Sequence, residues 1–347
     1  MLFSLNFIIY NSFIFVYAII ILTRKGNGNM SNVKIQSVPQ SKSLHFSRKK
    51  WEAFKLFLYV LPGIAFIVLF HYVPLWGWSF SVFQYKPGRN LLSCNWVGLS
   101  NFTALFGNAT LRTHLFRVLR NTFGIHLLGY LFSPLPMIFA VFLSELRSKR
   151  FQKITQTVTT LPNFISWVIV YSLIYNLFSA SGLVNNALVS AGILSEPVRF
   201  LTTTKNAWLY MVLLGEWKGL GWSAIIYFAA IAGIDQELYE AAMIDGAGRA
   251  RRIWHITFPH LIPTYFVLLI MSVGKFLNNS VDQYMMFCNA LNQDALEVLD
   301  LYVYNLGIGS GQISFSVAVG IMKSFVALAL FSFANLLSKK VRGTSVF

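Results

Sequence analysis

Apolar runs long enough to cross a membrane alternate with polar, basic loops along this chain. A spanning helix needs about 20 mostly apolar residues. Six runs meet that requirement, at residues 56–80, 117–143, 156–178, 208–231, 264–286 and 314–337. A seventh, 2–22, precedes Thr23-Arg24-Lys25 and has neither a basic start nor a small-residue cleavage site, so it does not read as a signal peptide. It reads as an extra N-terminal helix (residues 1–23) with its start outside. An over-long start is the alternative, because Met30-Ser31 also opens a cytoplasmic leader. Residues 24–55 are polar and basic without an apolar period and read as a cytoplasmic linker, which leaves 56–347 as the membrane domain.

Charge fixes the orientation. With the linker inside, eighteen of the 28 basic residues fall in inner segments, seven in outer ones and three within spans. That bias places the 240s loop and the C-terminus in the cytoplasm. Only 12% of residues are charged and the mean hydropathy is +0.58, against about a quarter charged in soluble domains. The expectation is an all-α, multi-pass protein in a lipid bilayer. The net charge of +16 is spread over loops, and no zinc-finger or RNA-binding pattern occurs, so nucleic acid is not an expected partner. Cys94 and Cys288 both fall in outer loops, which leaves a disulfide open. Outer segments 84–116, 179–206 and 287–313 carry aromatic residues among turn formers and read as short surface helices and turns.

One inner loop, 235–263, has internal order. Asp235 suits an N-cap and Glu237 the first turn of a helix over Gln236–Ile244. Gly246 suits a left-handed C-cap. Ala241 and Ala242 keep one surface low. A second short helix through Arg251, Ile253 and Trp254 is expected to end at Pro259 and Pro263. The product is a compact knob. Its residues Glu240-Ala241-Ala242, three more, Gly246, nine more, then Ile256, one more, Phe258 and Pro259 resemble the Glu-Ala-Ala loop of the membrane subunits of ABC importers. Phe258 replaces the Leu of that pattern, apolar for apolar.

The resemblance extends over most of 51–347. Leu161-Pro162-Asn163-Phe164-Ile165-Ser166-Trp167, Ile231-Ala232-Gly233-Ile234-Asp235 and Val303-Tyr304-Asn305-Leu306-Gly307-Ile308 look like carbohydrate-uptake permeases, in the branch for oligosaccharides from plant or algal polysaccharides. It implies a type I ABC importer transmembrane domain (MetI/MalF-like) of six core helices, here with an extra N-terminal one. It implies a heterodimer with a second homologous permease, two cytoplasmic ABC ATPases and an extracellular solute-binding protein. Glu240, Ala241, Ala242 and Gly246 are then the docking core for the ATPase, with Ile256 and Pro259 completing the motif and Asp245, Arg249 and Arg252 making polar contacts. The chain has no G-x-x-x-x-G-K-[ST] loop. ATP and its Mg are therefore expected on the ATPase partner, and no cofactor, metal or catalytic residue on this chain.

A transport path is sought among polar residues within spans, which are costly unless they face a polar interior. Lys218, Lys275 and Lys323 lie near the middles of three expected spans. Glu216 is expected to pair with Lys275 or Lys323. Lys275, Asn279 and Asp282, with Asn278 beside them, form a polar stripe if 264–286 is one helix. Trp217, Trp222 and Tyr227 offer flat faces to sugar rings. Gly215 and Gly219 form a G-x-x-x-G step expected at a close helix contact. His126 reads as a hydrogen-bonded packing residue. The alternatives are a permease of the same type for amino acids, phosphate or ions, an ion-coupled secondary transporter, and an integral membrane enzyme, for which no reactive constellation appears.

Overall fold

The computed structural model describes residues 43–342, so the expected helix at 2–22 lies outside the described residues. The chain separates into two compact units, 1–79 and 80–347. In the first, helix α1 (Ser43–Ile67) starts well before the expected residue 56. The basic stretch ahead of the span contains no glycine or proline, so nothing in it breaks a helix. The rod continues through a π turn (Val68–Tyr72) and tighter 3-10 turns from Val73.

The second unit is a helical bundle. Its elements are α2 (Ser100–Gly107), α3 (Ala109–Phe132), α4 (Leu135–Ser144), α5 (Lys149–Thr160), α6 (Trp167–Phe178), α7 (Leu183–Ser190) and α8 (Ala207–Ala232). There follow α9 (Gln236–Ile244), α10 (Arg249–Arg252), α11 (Phe258–Val273), α12 (Val281–Phe287), α13 (Gln293–Leu296), α14 (Leu299–Tyr304) and α15 (Ile313–Arg342). Five helical stretches among the described residues are long and apolar enough to cross a membrane, and α8 with its bent continuation α9 makes up to a sixth.

Three expected spans are interrupted, each for a local reason. Pro134 cannot extend α3, and Ser133 turns its hydroxyl onto the Tyr130 carbonyl at 2.8 Å and the Tyr265 hydroxyl at 2.9 Å. Pro162 breaks the 156–178 run into α5 and α6, with Ser166 accepting from the Ile169 amide to start the second. The 264–286 run is helical only to Val273, then non-helical to Ser280. In the opposite sense, Pro259 and Pro263 do not end the helix that carries them. Residues 249–273 run as one helical stretch, because the chain takes a π turn over Ile253–Thr257 just ahead of Pro259. That wider turn gives room where a proline ring would otherwise meet the preceding turn.

Helix α8 is the hub, packed by α3, α4, α5 and α11. Close approach is set by Gly221, where a Cβ would stand 2.4 Å from the Thr159 backbone, and by Gly124, where it would enter the Trp208 ring at 2.3 Å. The expected contact at Gly215 and Gly219 does not form within this chain. A Cβ at Gly219 meets nothing within 4 Å and one at Gly215 meets only Gln283 at 3.8 Å, since the face of α8 turned to α5 is the one carrying Gly221. The buried core falls into three clusters, around Met211, Phe287 and Leu296, around Leu105, Val118 and Val319, and around Ala140, Tyr227 and Leu261.

Candidate coupling loop and transport path

The loop after α8 folds as its residues require. The chain bends by 68° between α8 and α9. Asp235 caps α9, its carboxylate accepting from the Glu237 amide at 3.0 Å. At the other end Gly246 has φ +75°. Its amide donates to Met243 O at 3.0 Å, and the Ala247 amide donates to Ala242 O at 2.8 Å. This pair of bonds is the Schellman cap, which fixes where the helix stops. A further tie was not read from the sequence: the Tyr239 hydroxyl meets the buried Thr257 hydroxyl at 2.9 Å, fastening α9 to the π turn at the foot of the next span. Trp254 stacks on Phe258 at 4.9 Å.

Glu240, Ala241, Asp245, Arg249 and Pro259 are exposed, while Ala242, Arg252 and Ile256 are half-buried. Beside them Leu238, Met243 and Ile244 are also exposed, Ile244 to 86%. These three apolar residues belong to the loop's outer surface. Their signal in the sequence was an apolar residue on the polar knob that no periodicity turned inward.

The candidate path residues do not form one stripe. Lys275 lies beyond the end of α11, Asn278 and Asn279 lie in the break, and Asp282 opens α12, so they share no helical face. Lys323 does not pair with Glu216. It pairs with Asp300 of α14, and the second Asp300 oxygen accepts the Asn279 amide at 2.7 Å. Asp300 therefore anchors the break between α11 and α12 and neutralises Lys323 at once. The sequence pointed to no partner for it, since the pair spans three elements. No carboxylate lies within 4.0 Å of Lys218 among the described residues. Its ammonium donates to Asn163 O at 2.9 Å and lies 5.4 Å from the Trp167 ring centre. Trp217 and Trp222 are 45% and 41% exposed, whereas Tyr227 is buried in the core and offers no face. His126 packs, as expected, with Nδ1 at 3.0 Å from Thr122 O and its ring against Phe276.

The end of the bundle opposite the coupling loop is stapled by charge. Arg117 of α3 reaches Asp294 and, at 2.9 Å, Glu297, which also meets His114 at 2.7 Å. Asn121 donates to the backbone carbonyls of Asp294 and Glu297. Cys94 and Cys288 are both free. Burial, reinforced by the Glu297 charge and opposed by Arg117, pushes the Cys288 thiol up to about 11.

Residues 133–343 match the family described as the binding-protein-dependent transport system inner membrane component. That stretch is more than half of the chain and contains the capped loop. The chain belongs to this family. The permease is also 40% identical, over 82% of its length and 88% of the relative's, to the polygalacturonan/rhamnogalacturonan transport system permease protein YteP of Bacillus subtilis (strain 168). It is 38% identical to protein LplB of the same organism, over 86% and 92%. Among solved structures, it superposes with a TM-score of 0.75 and 31% identity on a chain of a bacterial ABC transporter involved in the import of the acidic polysaccharide alginate, covering 86% of the permease and 99% of that chain. The alginate transporter in complex with its pentasaccharide-bound periplasmic protein matches with a TM-score of 0.74. The protein is thus a membrane permease of an ABC importer that works with a binding protein, and the permeases of that family are not enzymes. Membership sets aside the ion-coupled and enzymatic alternatives.

Proposed function

We propose that this permease carries oligosaccharides released from a plant or algal polysaccharide, receiving them from an extracellular binding protein. The 40% identity to a polygalacturonan/rhamnogalacturonan permease, over 82% of this chain and 88% of that one, carries this reading. The partners are a second, related permease and two cytoplasmic ATPases, on which ATP and Mg bind. The exposed apolar residues Leu238, Met243 and Ile244 of α9, with Glu240, Ala241, Asp245 and Arg249, seat the ATPase. Closure of the ATPase pair pushes the capped knob, the helices rock, and the path between the two permeases opens outward; hydrolysis and reopening return it inward. Glu216, Trp217, Lys218, Trp222, Lys275, Asn278, Asn279, Asp282 and Lys323 line or support that path. No bond of the sugar is made or broken. The test is uptake by the reconstituted assembly, with oligosaccharides and amino acids presented in parallel. ATP-dependent entry of saccharides alone is expected, and entry of amino acids alone refutes the reading.

A further inference from the structure

Lys218 is the twelfth residue of α8, so it sits roughly 17 Å from one end of that helix and roughly 21 Å from the other. That is near the middle of α8, which with α9 makes the sixth candidate span. Level with it lies the break at 161–166, because the Lys218 ammonium donates to Asn163 O. Within the break Leu161–Phe164 form a 3-10 turn and Ile165 and Ser166 leave helical geometry, and non-helical backbone within a span is tolerated only inside protein or along a water-filled cavity. Phe164, Ile165 and Ser166 of the break are exposed in this chain, so this side of α8 does not face hydrocarbon.

The surroundings of Lys218 have a specific chemistry. Lys218 and Trp222 lie one turn apart on α8, on the side that meets the break. Trp222 stacks edge-on with Phe164 at 5.7 Å and is 41% exposed. Trp167, the first residue of α6, places its ring 5.4 Å from the ammonium. An ammonium has three donors. One goes to Asn163 O and one side faces the Trp167 ring. Glu216 is two residues away and turned to the far side of α8. Lys323, by contrast, already has its anion in Asp300.

We propose that Lys218 selects acidic oligosaccharides, its ammonium pairing with a uronate carboxylate while Trp167 and Trp222 hold the sugar rings. The proposal rests on the oligosaccharide reading above and names the substrate class. A charge at mid-membrane costs several kcal/mol when nothing opposes it. An anionic cargo offsets that cost on arrival, and a charge-assisted bond is about twice as strong as a neutral one. The aromatic rings supply flat apolar faces that tolerate many ring stereochemistries.

The experiment uses the complete importer in proteoliposomes, with its binding protein, and measures uptake of trigalacturonate. K218Q separates the two roles of the residue, because a glutamine amide can still donate to Asn163 O while carrying no charge. The expected result is a loss of about tenfold or more in trigalacturonate uptake by K218Q, with K218R retaining it. Uptake by assembled K218Q within about twofold of wild type overturns the proposal and leaves Lys218 as a cap for the break. The wild-type importer gives an independent check that no variant folding can blur. Trigalacturonate should enter much faster than the same trimer with its carboxyl groups reduced to alcohols, and equal entry overturns the proposal while sparing the oligosaccharide reading. Entry of neither trimer nor of any other saccharide overturns both.

Discussion

Replacing Asp300 by Asn removes one charge and little else, and the structure fixes what that should cost. The Asp300 and Lys323 side chains are 15% and 14% exposed, so the pair is largely shielded from water. An asparagine oxygen can still accept the Asn279 amide that Asp300 now accepts at 2.7 Å. The change therefore isolates the loss of the counter-charge. Removing one partner of a buried pair costs about 3–5 kcal/mol, because the other charge is left uncompensated. Removing both charges is much milder, since neither ion then needs solvation. The measurement is a double-mutant cycle of D300N, K323M and the double variant, read by denaturant unfolding in detergent. Each single change should lower stability by about 3 kcal/mol or more, and the double variant should recover about 2 kcal/mol or more of the summed loss. A D300N protein within about 1 kcal/mol of wild type, or strictly additive changes, refutes the argument that the pair is shielded and mutually dependent.

Three further outcomes follow from single features. G246A places a side chain at φ +75°, a conformation that costs about 1–2 kcal/mol; the cap should fray and ATP-driven uptake fall at normal membrane insertion, and unchanged uptake refutes the role of the cap. G221A drives a Cβ to 2.4 Å from the Thr159 backbone and should lower the melting temperature of the purified chain through an overpacking cost of about 1–3 kcal/mol, while G219A, with open space around it, should not; equal effects refute the packing. With its thiol pushed up to about 11, Cys288 is only about 0.1% thiolate at pH 8. In a C94S background, iodoacetamide labelling should be slow at pH 8 and rise about tenfold per pH unit toward 11; labelling at pH 8 as fast as a free thiol refutes the burial.

The sequence was most legible where local rules suffice. Asp235, Gly246 and the alanines between them gave the helix Gln236–Ile244 and its cap to the residue, because caps depend on backbone needs within one turn. The 208–231 run became α8 within a residue at each end for the same reason. Hydropathy failed at the breaks. Gly274 to Ser280 lies inside the apolar run, but the helix ends at Val273 and the break that follows is held by Asp300, from a distant segment, which accepts the Asn279 amide. Pro259 and Pro263 misled in the other direction, since a π turn is not visible in residue pattern. The pairing of Glu216 with Lys323 failed because the carboxylate that serves Lys323 lies in an outer segment which hydropathy treated as loop.

The unbroken helical stretch from Arg249 to Val273 turns a small rotation into a larger displacement. Twenty-five residues make a rod of roughly 35 Å, so a tilt of about 5° at its loop end sweeps the far tip through about 3 Å. That tip adjoins the Asn279–Asp300–Lys323 joint. A push on the loop then requires no melting or rewinding of the rod to reach the other end, only a pivot, and the reach is written into the number of residues between the loop and the joint.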